Sequence, residues 1–264
     1  MNKIYEHLNL ISSTSLIAMP FFEGKKQNEL DRFVYVGIKK ISKISLAFLR
    51  LYEQIDDSED LEFSLGILSR SIMMDIILHM GIQKISIKYN GNNYDEVKEE
   101  IKNYCLKIIS DGTAHLIEQI HESEILSMQE KSDAAIRLAS KFPDVFDFST
   151  DTPKRKSEYR FTHSKIYKES KELNTEHNKS VYHLYDFYSK YDHLSHWTSE
   201  FDKIPIEIRK GKLDLSILYM GYHLKNLLAI AYDFADGYTS LLPLIHDIEK
   251  SENEKFDNAD SKVL

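Results

Sequence analysis

The sequence predicts an all-α protein, a helical bundle with two nearly all-apolar helices at its centre. Three observations carry that expectation. Apolar residues recur at helical spacing in one long segment after another. Glycine and proline are scarce, nine and five in 264 residues, about half the usual share. That scarcity argues against sandwiches, propellers and glycine-loop nucleotide folds. Strand signals are almost absent, and the best candidate, Ile85 to Tyr89, is short and follows a helix.

Taken in order, Leu8 to Phe22 is apolar but interrupted by Ser12, Ser13, Thr14 and Ser15. It is too short and too polar to span a bilayer and is expected to pack against the body. Glu29 to Ile55 reads as a long amphipathic helix with Phe33, Val36, Ile41, Ile44, Phe48, Leu51 and Ile55 on its apolar face. Asp60 to about Tyr89 is a second helix, apolar around most of its circumference, and Asn90-Gly91-Asn92 is a turn signal. Asn93 to Met128 is a third, with a stripe of Val97, Ile101, Cys105, Ile109, Leu116 and Ile120. A short helix spans Lys131 to Phe142, ended by Pro143.

Residues 143–160 are polar and read as a loop excursion from a single domain covering residues 1–250. A short helix is expected over Phe161 to Leu173 and a tyrosine-rich one over Val181 to Lys203. Asp214 to Asp236 is the second nearly all-apolar helix, with Asp214 near its start and Gly237 just past its end. Leu241 to Lys250 adds a short helix, and the charged tail 251–264 is expected to be disordered.

Lys and Arg number 34 against 42 Asp and Glu, a net charge of −8. That balance argues against a large constitutive nucleic-acid surface. One cysteine, Cys105, excludes an internal disulfide framework and fits a reducing cytosol, so a cytoplasmic location is expected. It sits in an apolar helical run and reads as core filler.

The informative residues are polar ones on apolar helix faces. Arg70 and Asp75 stand almost alone in the second helix. They lie about 140° apart around it and are not expected to pair with each other. Arg70 is expected to be substantially buried, which demands a carboxylate, carbonyls or an anionic ligand. The helix 181–203 turns Tyr188, Tyr191, Ser195 and Thr198 to its buried side, and buried hydroxyls need partners. Arg70, Asp75, Tyr188, Tyr191 and Ser195 are therefore the candidate site. It is either a structural network or the lining of a polar pocket.

No metal or other cofactor is expected. Eleven histidines and 42 acids should give about 3.5 chance matches to the Glu-x-x-His and Asp-x-x-x-His spacings. Four occur: Glu118/His121, Asp75/His79, Asp111/His115 and Asp192/His196. The stripe of Asp111, His115, Glu118 and Glu122 lies opposite its helix's apolar face and is expected to be solvated. No nucleophile elbow, phosphate loop or dinucleotide fingerprint is present. The run Lys154-Arg155-Lys156, with Tyr159, Arg160 and His163, is the one basic–aromatic patch and reads as a solvated loop.

Arg70-Ser71-Ile72-Met73-Met74-Asp75, followed far along the chain by Tyr191-Asp192-His193-Leu194-Ser195, resembles an uncharacterised bacterial all-helical family that is loosely similar to the HEPN-type helical proteins of toxin and phage-defence systems. The resemblance covers the helices 60–89 and 181–203. It implies an all-helical protein of defence or stress response whose cluster binds RNA or a phosphate-bearing ligand. Many such proteins are RNases with Arg-x(4–6)-His. No Arg here has a His at that spacing, so any RNase chemistry would be degenerate, and whether the chain is an enzyme stays open. The competing expectation is a non-catalytic scaffold or dimerisation protein whose Arg70 cluster is structural. Long amphipathic helices and many tyrosines permit a homodimer. A membrane is not expected as a partner, and no DNA-binding motif is present.

Overall fold

In the computed structural model the residues described are 3–23, 28–57, 59–150, 152–160, 176–189, 203–235 and 238–259, together with 162, 166 and 168. They form an all-α bundle. Its eight described helices are α1 (Lys3–Glu23), α2 (Glu29–Leu51), α3 (Glu59–Ser86), α4 (Tyr94–Glu122), α5 (Met128–Ala139), α6 (Glu176–Tyr188), α7 (Ile206–Phe234) and α8 (Leu242–Ala259). A 3-10 helix, Tyr52–Asp57, links α2 to α3. Two strands of two residues each, β1 (Phe146–Asp147) and β2 (Lys154–Arg155), pair antiparallel, with Phe146 opposite Arg155.

The two helices expected at the centre, α3 and α7, are central. α3 packs against α2, α4, α6 and α7, and α7 also packs against α1, α2 and α8. Residues 61–86 are long and apolar enough to cross a membrane by length and composition, and 61% of the qualifying stretch is packed inside the bundle. Ile85 to Tyr89 is not a strand: the helix runs to Ser86 and a turn follows, with Gly91 at φ +88°.

α1 packs along α2, and Leu8, Ile11, Ala18 and Phe22 enter the core. Its inward-facing serines are satisfied locally, as where Ser15 Oγ donates to the Ser12 carbonyl at 2.8 Å. α2 starts where the Asn28 side chain accepts from the Asp31 amide at 2.7 Å. The buried Asp31 carboxylate in turn accepts from the Tyr238 hydroxyl at 2.9 Å, pinning the start of α2 to the link before α8. α5 opens on a capping box of Ser127 and Glu130.

Several expectations need correction. Val36 and Leu116, read as core positions, are 52% and 44% exposed. The second apolar helix starts at Ile206, after Pro205, which is tolerated there because a helix start needs no donor. Asp214 therefore lies inside α7, where the Tyr52 hydroxyl donates to it. Residues 251–259 are not a disordered tail but continue α8. Ile248 and Glu252 are buried, and Lys225 Nζ donates to Glu252 at 2.6 Å. The excursion 143–160 carries the small hairpin, and Phe142, Val145 and Phe146 pack with Leu106, Ile117 and Ala139 in a second apolar cluster. Most of the expected helix 161–173, and residues 190–202 of the helix 181–203, lie outside the described residues.

α3 and α4 approach closely at Gly81. A Cβ there would sit 2.1 Å from Tyr104 Oη and 2.4 Å from Cζ. Gly81→Ala is thus expected to push the ring aside and break its hydrogen bond to the Leu78 carbonyl, 2.9 Å long. Overpacking of this kind costs about 1–3 kcal/mol. Thermal unfolding checks it, with a midpoint several degrees below wild type as the expected result.

Candidate functional site

The described members of the candidate cluster turn to three different neighbours. Arg70 is half-buried, less than the sequence led one to expect. A long side chain can lay its stem on apolar surface and keep its head near water. Its guanidinium lies over the Tyr185 ring of α6, 5.6 Å from the centroid. Asp75, five residues on, points to the other side of α3 and pairs with Lys40 of α2 at 2.6 Å. Lys40 also donates to the Ser71 carbonyl at 3.4 Å. The 140° offset between Arg70 and Asp75 therefore joins α3 to two partners.

Tyr188 is fully buried, as expected. Ser216 of α7 donates to its hydroxyl at 3.4 Å, while the buried Ser69 Oγ of α3 makes no hydrogen bond among the described residues. Burial pushes the phenol well above its usual range, and the nearby Glu62 charge adds to that. Tyr191 and Ser195, with Thr198, lie outside the described residues.

Beside this cluster sits a buried ion pair that the sequence reading missed. Glu62 of α3 and Arg209 of α7 are 2.7 Å apart, with side chains 3% and 9% exposed. A second missed feature is a polar stripe on α3, Ser71-Asp75-His79-Gln83, at i, i+4, i+8 and i+12. His79 meets His223 of α7 edge to face, with ring centroids 5.5 Å apart. Both rings are buried, and their Nδ1 atoms make no hydrogen bond among the described residues. Burial pushes His79 down to about 4. It holds His223 well below its ordinary value, helped by the neighbouring His79 and Lys40 charges.

One helical turn along, Gln83 donates to the Tyr222 hydroxyl at 3.2 Å. His177 of α6 packs on Tyr219 and Tyr222 and is also pushed down to about 4, mainly by burial. The stripe was legible as a four-residue period, but the Asp75/His79 spacing alone stood at chance level.

Among the described residues no three His, Cys, Asp or Glu side chains converge as a metal site would require. His115 lies on the exposed face of α4 beside Glu118. Asp111 does not share that exposure: it is buried under Arg155, 2.5 Å away. The basic run is accordingly anchored. Arg155 holds α4, and Lys156 donates to the Asp144 carbonyl at 2.7 Å. Cys105 is buried, and desolvation raises its thiol far above the reactive range. A shallow groove of about 210 Å³ lies between α3 and α4, lined by Gly81, Lys84, Lys88, Glu100 and Tyr104. It is remote from Arg70 along α3. Comparison of the chain with protein-family models, curated proteins and solved structures finds no match.

Proposed function

We propose that the chain is a non-catalytic helical scaffold, in which Arg70, Asp75 and Tyr188 act as ties between helices. The observation that carries this reading is their divergence. Arg70 goes to α6, Asp75 to α2 and Tyr188 to α7, so these groups serve packing rather than a shared ligand. The function then resides in the surfaces the bundle presents.

The test compares stability with ligand binding in the same variants. Tyr188→Phe removes a buried hydroxyl and is expected to cost about 1 kcal/mol. Asp75→Asn and Arg70→Ala are expected to lower the thermal midpoint modestly, since both groups are partly solvated. Incubation of the wild-type protein with total RNA, with and without chelator, is expected to leave the RNA intact. An Arg70→Ala protein of unchanged stability that has lost RNA or phosphate binding would overturn the scaffold reading.

A second reading, a HEPN-like defence protein that binds RNA or a phosphate-bearing ligand, is favoured by one observation. Two cations flank α6 aromatics: Arg70 over Tyr185, and Lys212 over Phe187 at 4.8 Å. Such an edge suits stacked bases and their phosphates. Filter binding of single-stranded RNA to wild type and Lys212→Gln separates the two readings.

A further inference from the structure

We propose that the outer face of the α1–α2 hairpin docks on an anionic lipid surface. The charge of the chain is unevenly spread. Residues 1–51 carry eight Lys and Arg against four Asp and Glu, a net of +4. Residues 52–264 carry 26 against 38, a net of −12. The positive part of an acidic protein is thus its N-terminal hairpin.

That hairpin also exposes apolar side chains. On α1, Leu16, Ile17 and Phe21 are 46%, 55% and 36% exposed; Ile17 and Phe21 share a face at i, i+4, with Leu16 at the edge of the same exposed side. On α2, exposed Val36 is followed at i+3 and i+7 by exposed Lys39 and Lys43. α7 packs against both α1 and α2, so the exposed stripes of the two arms look away from it. Lys40 is not part of this face, because it is committed to Asp75. Glu6 and Glu23, both exposed on α1, are the opposing charges: Glu6 lies on the Ile17 side of the helix toward its start, and Glu23 at its last turn.

Aliphatic side chains flanked by lysines match the needs of a headgroup–acyl boundary. The apolar residues enter it, and the ammonium groups stay among the phosphates. A nucleic-acid surface would call instead for several stacking aromatics and arginines; here the exposed apolar residues are mainly aliphatic, with Phe21 the one exposed aromatic among those named. Each lysine near an anionic bilayer strengthens partitioning roughly fivefold, and the attraction fades within a Debye length. Docking should therefore be reversible and sensitive to salt.

Vesicle flotation of the full chain tests this. Binding is expected to vesicles containing phosphatidylglycerol at low salt. It should be lost at high salt and be weak or absent on phosphatidylcholine alone. Lys39→Gln with Lys43→Gln should reduce partitioning about 25-fold. Leu16→Ser with Ile17→Ser should reduce it while keeping the salt dependence. All four positions are exposed, so thermal midpoints should stay near wild type, and the salt and lipid comparisons need no variant at all. The proposal is overturned by absence of flotation with anionic vesicles, or by binding that neither pair of substitutions alters. It is equally overturned if the Leu16/Ile17 pair instead abolishes self-association measured by light scattering, or if the lysine pair instead abolishes RNA binding.

Discussion

Arg209→Ala is expected to destabilise the protein by about 3–5 kcal/mol, the usual cost of stranding one member of a buried ion pair. Arg209 sits in the first turn of α7 and reaches Glu62 near the start of α3 at 2.7 Å, with both side chains nearly sealed from water. Without the guanidinium the Glu62 carboxylate must stay charged in a poorly polarisable interior or take up a proton. Either outcome costs free energy that the unfolded chain does not incur. Tyr188 feels the same carboxylate, so the damage should reach the α3–α6–α7 junction. At a few degrees per kcal/mol for a chain of this size, the thermal midpoint should fall by roughly 10 °C. Replacing both partners by Leu or Met should restore most of the stability, because the pair itself contributes little beyond satisfying its own desolvation. Guanidinium unfolding of wild type, both single variants and the double variant gives the cycle. A single-variant loss under about 0.5 kcal/mol would show that water reaches the pair.

The bundle was legible because period and composition act locally. The apolar runs around Ile72 and Leu224 could be central only in a helical core, and both are there. Boundaries failed where tertiary contacts decide them. Pro205 looked like a stop and is the start of α7. The charged segment from Ser251 looked solvated, yet Ser251 bonds His7 and Glu252 bonds Lys225. Such partners lie far away in sequence. The candidate site was half legible. The wheel angle showed that Arg70 and Asp75 would not meet, but it named neither Lys40 nor Tyr185. Glu62 and Arg209 sit in helix-terminal segments rich in other charges, so nothing local marks them as buried. The net charge of −8 likewise hid the positive hairpin.

Acidification from pH 7 to 4 is expected to weaken the fold, and buried imidazoles are the reason. His79 and His177 are pushed down to about 4 in the folded protein, and His223 well below its ordinary 6.5. Between 6.5 and about 4 the unfolded chain binds protons at these positions that the native state does not. Stability therefore falls as pH drops through that window and levels off below the folded value. For His79 alone the loss is about 3 kcal/mol. Asp214 opposes it. Burial raises its carboxyl from 3.8 to about 6, so acidification between 6 and 3.8 favours the folded state there. Burial raises the Asp233 and Glu252 carboxyls as well, and they act in the same direction as Asp214, while Glu130 and Asp147, held below their usual values by hydrogen bonds from Ser127 and Ser149, act with the three histidines. Lys40 adds to the cost, since its charge already bears on His223. The midpoint of urea unfolding, followed from pH 7.5 to 4, should decline most steeply below 6.5. His79→Gln should flatten that decline by about a third, so that any deficit relative to wild type is smaller at pH 4 than at pH 7. A midpoint unchanged between pH 7 and 5 would mean that water or a carbonyl already serves the His79–His223 pair, and the α3–α7 contact would then be a hydrated one.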